Sequence, residues 1–507
     1  YAARAKREML AAAAFTDWNP SHFLDVAEMT AALGTGYDWF YGVLSEGERE
    51  TIRRAIVEKG LQPSIQVDHW SRNRNNWNQV CNAGMVIGSL AVAEQEPALA
   101  SRMIARAVNT VPLSMQEYSP DGAYPEGASY WGYGTTFNVM LISALESTLG
   151  TDFGLSKAQG FLSTPDYLLH LYGPTGEPFA YSDAGTRPAG LQAAMFWFAA
   201  KRGAPYLLWS EWAKWEAMSA EEAERRGDRI DALLPLWLDP KQAKPGPPAA
   251  LSWSGRGPTP VAMHRTDWGP NAVYVGIKGG SPSASHAHMD VGTFVMDADG
   301  VRWADDLGMQ DYNSLESKGI QLWSKGQDAE RWKIFRLGTS AHSVLMVNGQ
   351  QQRYDSQAPL TLQKAGRTVV HLTGTYAGLL ARADRGIALQ PDRTVVLQDE
   401  FAAPANAAAA VRWAMLTRAE VTVDGPGAAT LRRGGKALRF QVVEPAAAEL
   451  QVYSTDPPSP TDAPNPGTRL LGFMVKLPAG ASSRVVVRMV PESAKAAAFA
   501  PVALAQW

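Results

Sequence analysis

The stretch DPKQAKPGPPAALS, residues 239–252, decides how the chain is built. Proline removes a backbone donor and fixes its own φ, so four prolines and a glycine in fourteen residues break helix and strand alike and read as a linker. Before it, apolar residues recur at helical spacing over 22–44, 47–59, 79–95, 98–115, 134–149, 190–202 and 205–217. Stop signals separate these runs, among them KGLQP from Lys59 and SPDGAYPEG at 119–127. After it the period falls to two. Strands are expected at 260–266, 272–278, 292–297, 343–348, 367–375, 393–399, 409–416, 438–443 and 484–490, with DADG, VNG, RRGG and PAG as turns. Helices with no strand between them pair into hairpins, as a ring, toroid or bundle. Strands with no helix between them stack as antiparallel sheets. The expected fold is therefore α+β multidomain, with a helical domain over 1–240 and an antiparallel β-sandwich over 250–507.

Composition narrows the function classes. The 507 residues are 46% hydrophobic and 19% charged, which supports a large core and argues against general disorder. A net charge of −3 gives neither the basic footprint of a nucleic-acid binder nor a polybasic membrane surface. No apolar run is long enough to span a bilayer. One cysteine allows no internal disulfide framework. The chain starts at Tyr1 in a helix-like stretch, so an export signal removed by processing is expected. Seventeen tryptophans fit helix packing or flat platforms for sugar rings.

Three segments carry chemistry. NRNNWNQVCNAG, residues 73–84, crowds amides at a helix start. A helix N-terminus carries partial positive charge and free N–H groups, so Arg72, Arg74, Asn75 and Asn76 suit an anion; Asn76 is equally readable as an N-cap. DGAYPEGASYWGYGTTF, 121–137, is a tight loop entering a helix, with Tyr130 and Tyr133 three apart on one face, where they serve chemistry or simply anchor the helix. SASHAHMDVGTF, 283–294, places His286 and His288 on one side of an extended chain. With Asp306 and His342, His288 offers the donors of a three-ligand zinc site, although paired histidines also occur on strand surfaces.

Together these groups suit one reaction. An amide and a histidine bonded to a uronate carboxylate offset its charge and acidify the neighbouring C–H. A tyrosine then takes that proton and protonates the leaving glycosidic oxygen, a β-elimination. Tyrosine titrates near 10, so neighbouring cations are expected to favour its phenolate.

In their order and spacing these segments resemble the heparinase II/III-like polysaccharide lyases, along most of the chain: WNPSHFLDVAEMTAALGTGYDWFY, EGASYWGY, HAHMDVGTFVMDADGVRWADDLG and AHSVLMVNG. The resemblance implies an incomplete α/α toroid followed by an antiparallel β-sandwich. It implies cleavage of an acidic polysaccharide or oligosaccharide by elimination, leaving an unsaturated uronate. It also implies catalytic roles for Asn76, Tyr130 and His286, with Tyr133 as a companion of Tyr130. A structural Zn2+ on His288, Asp306 and His342 follows from it, as does a periplasmic or secreted monomer or homodimer with no nucleic-acid partner and no membrane insertion. Tyr312, Trp323 and Arg331 fall where substrate-facing loops are expected, and Arg72 and Arg74 are expected subsite cations.

One departure matters. Many members read Asn-Asn-His where this chain has Asn75-Asn76-Trp77. Anti elimination at galacturonate-, iduronate- or guluronate-like units wants a base and an acid on two faces. Syn elimination at glucuronate- or mannuronate-like units needs one tyrosine. Loss of the histidine points to syn elimination, with Trp77 stacking on a sugar; His69, in VDHWSRN, is the candidate to replace the missing base. Two rivals stand beside this reading: a toroid glycoside hydrolase using Glu126 and Asp121, and a carbohydrate-binding protein without catalysis.

Overall fold

The structure, a computed structural model, describes residues 1–188, 190–219, 228–239, 244–364 and 366–507. Residues 240–243 of the expected linker lie outside the described residues. The N-terminal half comprises α1 (Ala2–Ala14), α2 (Phe23–Trp39), α3 (Glu46–Ala55), α4 (Pro63–Gln66), α5 (Asn76–Ala91), α6 (Pro97–Met115), α7 (Gly127–Tyr130), α8 (Thr136–Leu149), α9 (Thr164–Leu171), α10 (Ala193–Arg202) and α11 (Trp209–Ala217). The seven expected helices are present, most of them trimmed at the ends. Helix α3 starts where Ser45 and Glu48 form a reciprocal capping box.

Helix α5 is buried along nearly its whole length, and its small residues explain how. A Cβ on Gly84 would stand 2.3 Å from the Ala27 carbonyl oxygen, and one on Gly88 2.3 Å from the Thr30 methyl. Glycine thus lets α5 lie directly on α2. The amides serve the other side. Asn78 donates to the Ser71 and Thr110 carbonyls, and Asn82 to the Asn78 carbonyl and the Thr110 hydroxyl, joining α5 to α6. Those two asparagines are structural.

The C-terminal half is three antiparallel sheets. The first runs in chain order through β1 (Ser252–Gly255), β2 (Val261–Arg265), β3 (Tyr274–Lys278), β4 (Phe294–Ala298) and β5 (Val301–Ala304). The others are built from β6 (Leu345–Val347), β7 (Leu360–Lys364), β8 (Arg367–His371), β9 (Arg382–Leu389), β10 (Val395–Ala402), β11 (Ala409–Thr417), β12 (Glu420–Gly425), β13 (Ala428–Arg433), β14 (Lys436–Glu444), β15 (Gln451–Tyr453), β16 (Arg469–Leu477) and β17 (Ser482–Pro491). Their orders are β12-β13-β14-β17-β10-β9-β8-β7 and β15-β16-β11-β6. Trp413 stacks on Phe473 across β11 and β16, and its indole N–H donates to Asp399, which is paired with Arg385.

The five-stranded sheet joins the halves. Alternate residues of a strand face opposite ways, and here each face meets a different core. Val261, Met263, Tyr274 and Val295 pack with the helices. Ala262, Val275, Ile277, Phe294 and Met296 pack with the sandwich. Polar anchors reinforce the seam: Arg265 donates to the His170 and Tyr172 carbonyls, the Tyr274 hydroxyl to the Leu171 carbonyl, and Arg302 to the Glu177 and Pro178 carbonyls. The nine expected strands are all present. Strands β1, β5, β7, β9, β12, β13, β15 and β16 were not expected, because charges, glycine, short length or exposed edges blur their alternation.

Candidate active site

Five side chains meet where the helical half faces the sandwich, and the residue that joins them is one the sequence reading left out. Asp183 lies in the loop YSDAGT, residues 181–186, and is fully buried. Its Oδ2 accepts from the Tyr312 hydroxyl at 2.6 Å and lies 3.0 Å from His286 Nδ1. Its Oδ1 lies 2.8 Å from His288 Nε2 and accepts from Arg331 Nη2 at 2.8 Å. Burial alone would raise the Asp183 pKa, but the hydrogen bonds of His286 and His288 and the Arg331 charge hold it well below the usual carboxylate range. Asp183 is therefore an anion. The imidazole of His286 consequently presents an Nδ1–H to it, leaving Nε2 toward the cleft.

The backbone holds this arrangement under strain. Ser182 and His286 both adopt left-handed φ, at 55° and 57°. Each costs a non-glycine residue on the order of 1–3 kcal/mol and recurs at functional sites. The Asp183 N–H donates to the His286 carbonyl at 2.9 Å, so the two strained segments hold one another.

Tyr130, at the end of α7, reaches this cluster from the helical side. Its hydroxyl lies 2.8 Å from that of Tyr312, and its ring centroid lies 4.4 Å from that of His286. Tyr312 donates to Asp183, so its oxygen accepts from Tyr130, giving a chain Tyr130–Tyr312–Asp183. Burial pushes the Tyr130 pKa far above 10; Asp183 and Glu126 push the same way, and the Tyr312 hydrogen bond and Arg331 oppose them without winning. The expected phenolate is thus not the resting form, because the nearest cation, Arg331, is spent on Asp183.

Tyr133 does not share the face of Tyr130. A wide π turn at Trp131–Thr135 shifts the helical phase, and the Tyr133 hydroxyl donates to Glu28 at 2.7 Å, which is also paired with Arg229. Asn76 is the first residue of α5, not its cap; Asn75 takes the cap position without a side-chain cap bond. The Asn76 side chain is buried, and its Oδ1 has no partner among the described residues. It lies near Tyr124 and Gln79, around Gly134.

The remaining expected contacts divide. Trp323 is half exposed and edges onto His286 and Tyr312, with centroids 5.2 and 5.0 Å away, forming a wall of the site. Arg331 is buried, so it organises Asp183 and is not a free subsite cation. Arg72 and Arg74 are exposed and pair with Asp68 and Glu117. Trp77 packs between His22 and His69, with centroids 5.0 and 6.1 Å away.

The expected metal residues also gather. The rings of His288 and His342 lie 5.4 Å apart, and His342 Nδ1 lies 2.8 Å from Asp306 Oδ2. His288 Nδ1 and His342 Nε2 are buried with no partner among the described residues, which fits a metal donor pair. Asp306 in this arrangement orients His342 and accepts from Gly308 N–H. Among the described residues, no three histidine, cysteine, aspartate or glutamate side chains converge as ligands.

A helical toroid followed by an antiparallel sandwich, with its polar cluster between them, defines the architectural class. Residues 262–479 match the family model Heparinase II/III-like, C-terminal. The fold matches heparinase III with a TM-score of 0.64 at 13% identity, covering 93% of this chain and 70% of that one. It matches the heparan sulfate lyase HepC from Pedobacter heparinus with a TM-score of 0.60 at 17% identity, covering 95% and 69%. Among curated proteins, none matches. Residues 262–479 are thus similar to the Heparinase II/III-like C-terminal family, and the fold of the chain is similar to that of heparinase III.

Proposed function

We propose that the protein is a polysaccharide lyase that cleaves a uronate-containing acidic polysaccharide by β-elimination, syn at glucuronate- or mannuronate-type units. The observation that carries this reading is the chain Tyr130–Tyr312–Asp183, ending on an ionised carboxylate beside His286. In the reaction, the Asn76 amide N–H hydrogen-bonds the uronate carboxylate, and His286 does so through Nε2–H when both of its ring nitrogens carry hydrogen. Tyr130 takes the proton from C5 as its own shifts through Tyr312 toward Asp183, and that proton returns to Tyr130 when the C5 proton goes on to the leaving oxygen. The C5 electron pair forms the C4–C5 double bond, the C4–O bond breaks, and the leaving oxygen recovers the proton through Tyr130. The heparinase II/III-like fold supports the same class of substrate.

The hydrolase alternative is weaker: Asp121 is held by Arg256 in a bidentate pair at the surface, and Glu126 is buried. His69 packs against Trp77, and no hydrogen bond or ring contact joins it to the Tyr130 cluster among the described residues, which favours the syn reading. A zinc ion on His288 and His342, with Asp306 nearby, belongs to the proposal as a structural element that steadies the loop bearing His286. Action in the periplasm or outside the cell belongs to it too; among the described residues no helix is long and apolar enough to cross a membrane.

The test is ultraviolet absorbance of the conjugated uronate on a panel of glucuronate, mannuronate, iduronate and guluronate polymers, with Tyr130→Phe as control. A rise on the first two alone, lost in the variant, supports the reading. A rise mainly on iduronate or guluronate polymers overturns the syn assignment. No rise on any polymer, with oligosaccharide binding retained, favours the binding-protein rival.

A further inference from the structure

Lys278 and Asp290 form an ion pair in which both side chains are fully buried. Replacing such a pair by apolar residues is often neutral or stabilising, so stability alone does not account for it. Its position does. Lys278 ends β3, and its Nζ binds Asp290 Oδ1 while lying 5.8 Å from the centroid of the Tyr181 ring. Asp290 stands in the segment that carries His286 and His288. Its other oxygen, Oδ2, accepts the Ser182 N–H at 3.2 Å, across 108 residues of chain. Ser182 is the left-handed residue before Asp183. A non-glycine residue keeps that conformation only where its surroundings hold it. A short polar side chain can supply the hold by bonding locally, but the Ser182 hydroxyl is buried with no partner among the described residues. The hold comes from outside the residue. Tyr181 is tied by its hydroxyl to the Tyr124 carbonyl, and the N–H groups of Ser182, Asp183 and Gly185 go to Asp290, the His286 carbonyl and the Ser129 hydroxyl. Of these four bonds, only the one to Asp290 acts on the strained residue itself.

We infer that Asp290, fixed by Lys278, is a positioning residue: it holds Ser182 in its left-handed conformation and so turns one oxygen of Asp183 to His286 and Tyr312 and the other to His288 and Arg331. The consequence for turnover rests on the lyase reading. Strand β3 is the middle strand of its sheet, so Lys278 anchors the Asp290 carboxylate to a part of the fold that belongs to neither loop. Without the bond, Ser182 relaxes toward an ordinary φ and swings the residue that follows it. A displacement of about 1 Å at a reacting group costs on the order of 10²-fold in rate.

The test compares two proteins in which no buried charge is left alone. Lys278→Met with Asp290→Asn keeps an acceptor for Ser182, and Lys278→Met with Asp290→Leu removes it. A pair that only fills the core makes the two behave alike. On the preferred polymer, kcat is expected to stay within about threefold of the parent in the asparagine protein and to fall at least about tenfold in the leucine protein, with KM within about threefold in both. Ser182→Gly added to the leucine protein is expected to bring kcat back to within about threefold of the parent, because glycine takes a left-handed φ without steric cost. Equal kcat in the two proteins, no recovery with glycine, or a loss of bound metal confined to the leucine protein overturns the inference. Amide exchange read by mass spectrometry needs no turnover. The Asp183 amide is expected to exchange at least about tenfold faster in the leucine protein than in the asparagine protein, although its own acceptor, the His286 carbonyl, is unchanged; equal protection overturns the inference. If the leucine protein does not fold, exchange at Ser182 in the parent and the asparagine protein decides: protection in both is expected, and exchange at the rate of an open loop overturns the inference. No unsaturated product from the parent on any polymer, with the exchange difference present, overturns the lyase and leaves the positioning role; product with equal exchange does the reverse.

Discussion

The phenol oxygens of Tyr130 and Tyr312 lie 2.8 Å apart although 182 residues separate them in the chain. One comes from the helices and the other from the sandwich, and Asp183 accepts behind them. General acid–base groups contribute about 10²–10⁴-fold. Tyr130→Phe is expected to remove activity by at least about 10²-fold, and Tyr312→Phe to lower kcat with little change in KM, since Tyr312 acts through Tyr130. Steady-state kinetics on the preferred polymer checks both.

The pH profile separates a relay from a lone tyrosine. The Tyr130 pKa is raised far above 10, so a lone phenolate would make kcat/KM climb about tenfold per pH unit up to alkaline pH. With Asp183 ionised well below neutrality, the relay is ready from mildly acidic pH upward, and kcat/KM is expected to be flat between about pH 6 and 9. Asp183→Asn is expected to lower kcat and restore the climbing profile. A climbing profile in the unmodified protein would remove Asp183 from the mechanism.

Trp323 forms a half-exposed wall against His286 and Tyr312. Aromatic contacts of this kind are worth about 0.5–1.5 kcal/mol. Trp323→Ala is therefore expected to raise KM roughly three- to tenfold while kcat stays within about twofold.

Glu126 ties stability to pH. Burial raises its folded pKa above the ordinary value of 4.5, so its stabilising protonated form is fully present below that value and is lost as pH rises through the folded pKa. Glutamine cannot ionise. The melting temperature of Glu126→Gln is expected to match the parent near pH 4 and exceed it increasingly toward pH 8. A constant difference across that range would mean that Glu126 keeps an ordinary pKa.

Metal content tests the histidine pair. If His288 and His342 hold zinc, purified protein carries about one equivalent, and chelation lowers the melting temperature. His342→Ala is expected to lose the metal while Tyr130 and its partners stay in place. Elemental analysis of both proteins decides it.

Much of the fold was legible because period and punctuation are local. Helices 98–115 and 134–149 and strands such as 409–416 carry their own spacing, and the proline-rich stretch separates them. Tyr130 and His286, expected from motifs that resemble a known family, come together in the structure, whereas Asn76 lies near Tyr124 and Gln79. Asp183 was not legible. It sits in a loop that looks like an ordinary turn, and its partners lie 103 to 148 residues away. The signal that could have found it is a buried arginine needing an anion, but burial of Arg331 cannot be read from sequence. Tyr133 was misplaced for a related reason: a π turn changes helical phase without changing composition.

Arg302 reaches out of the five-stranded sheet, bound to Asp297 at its base and to the Glu177 and Pro178 carbonyls at its tip. A rivet of this kind does not depend on the peptide thread that joins the halves. A chain cut by a protease between them would still sediment as one particle and keep its catalytic groups aligned. The same rivet means that a half expressed alone would carry an exposed, sticky seam instead of a finished surface.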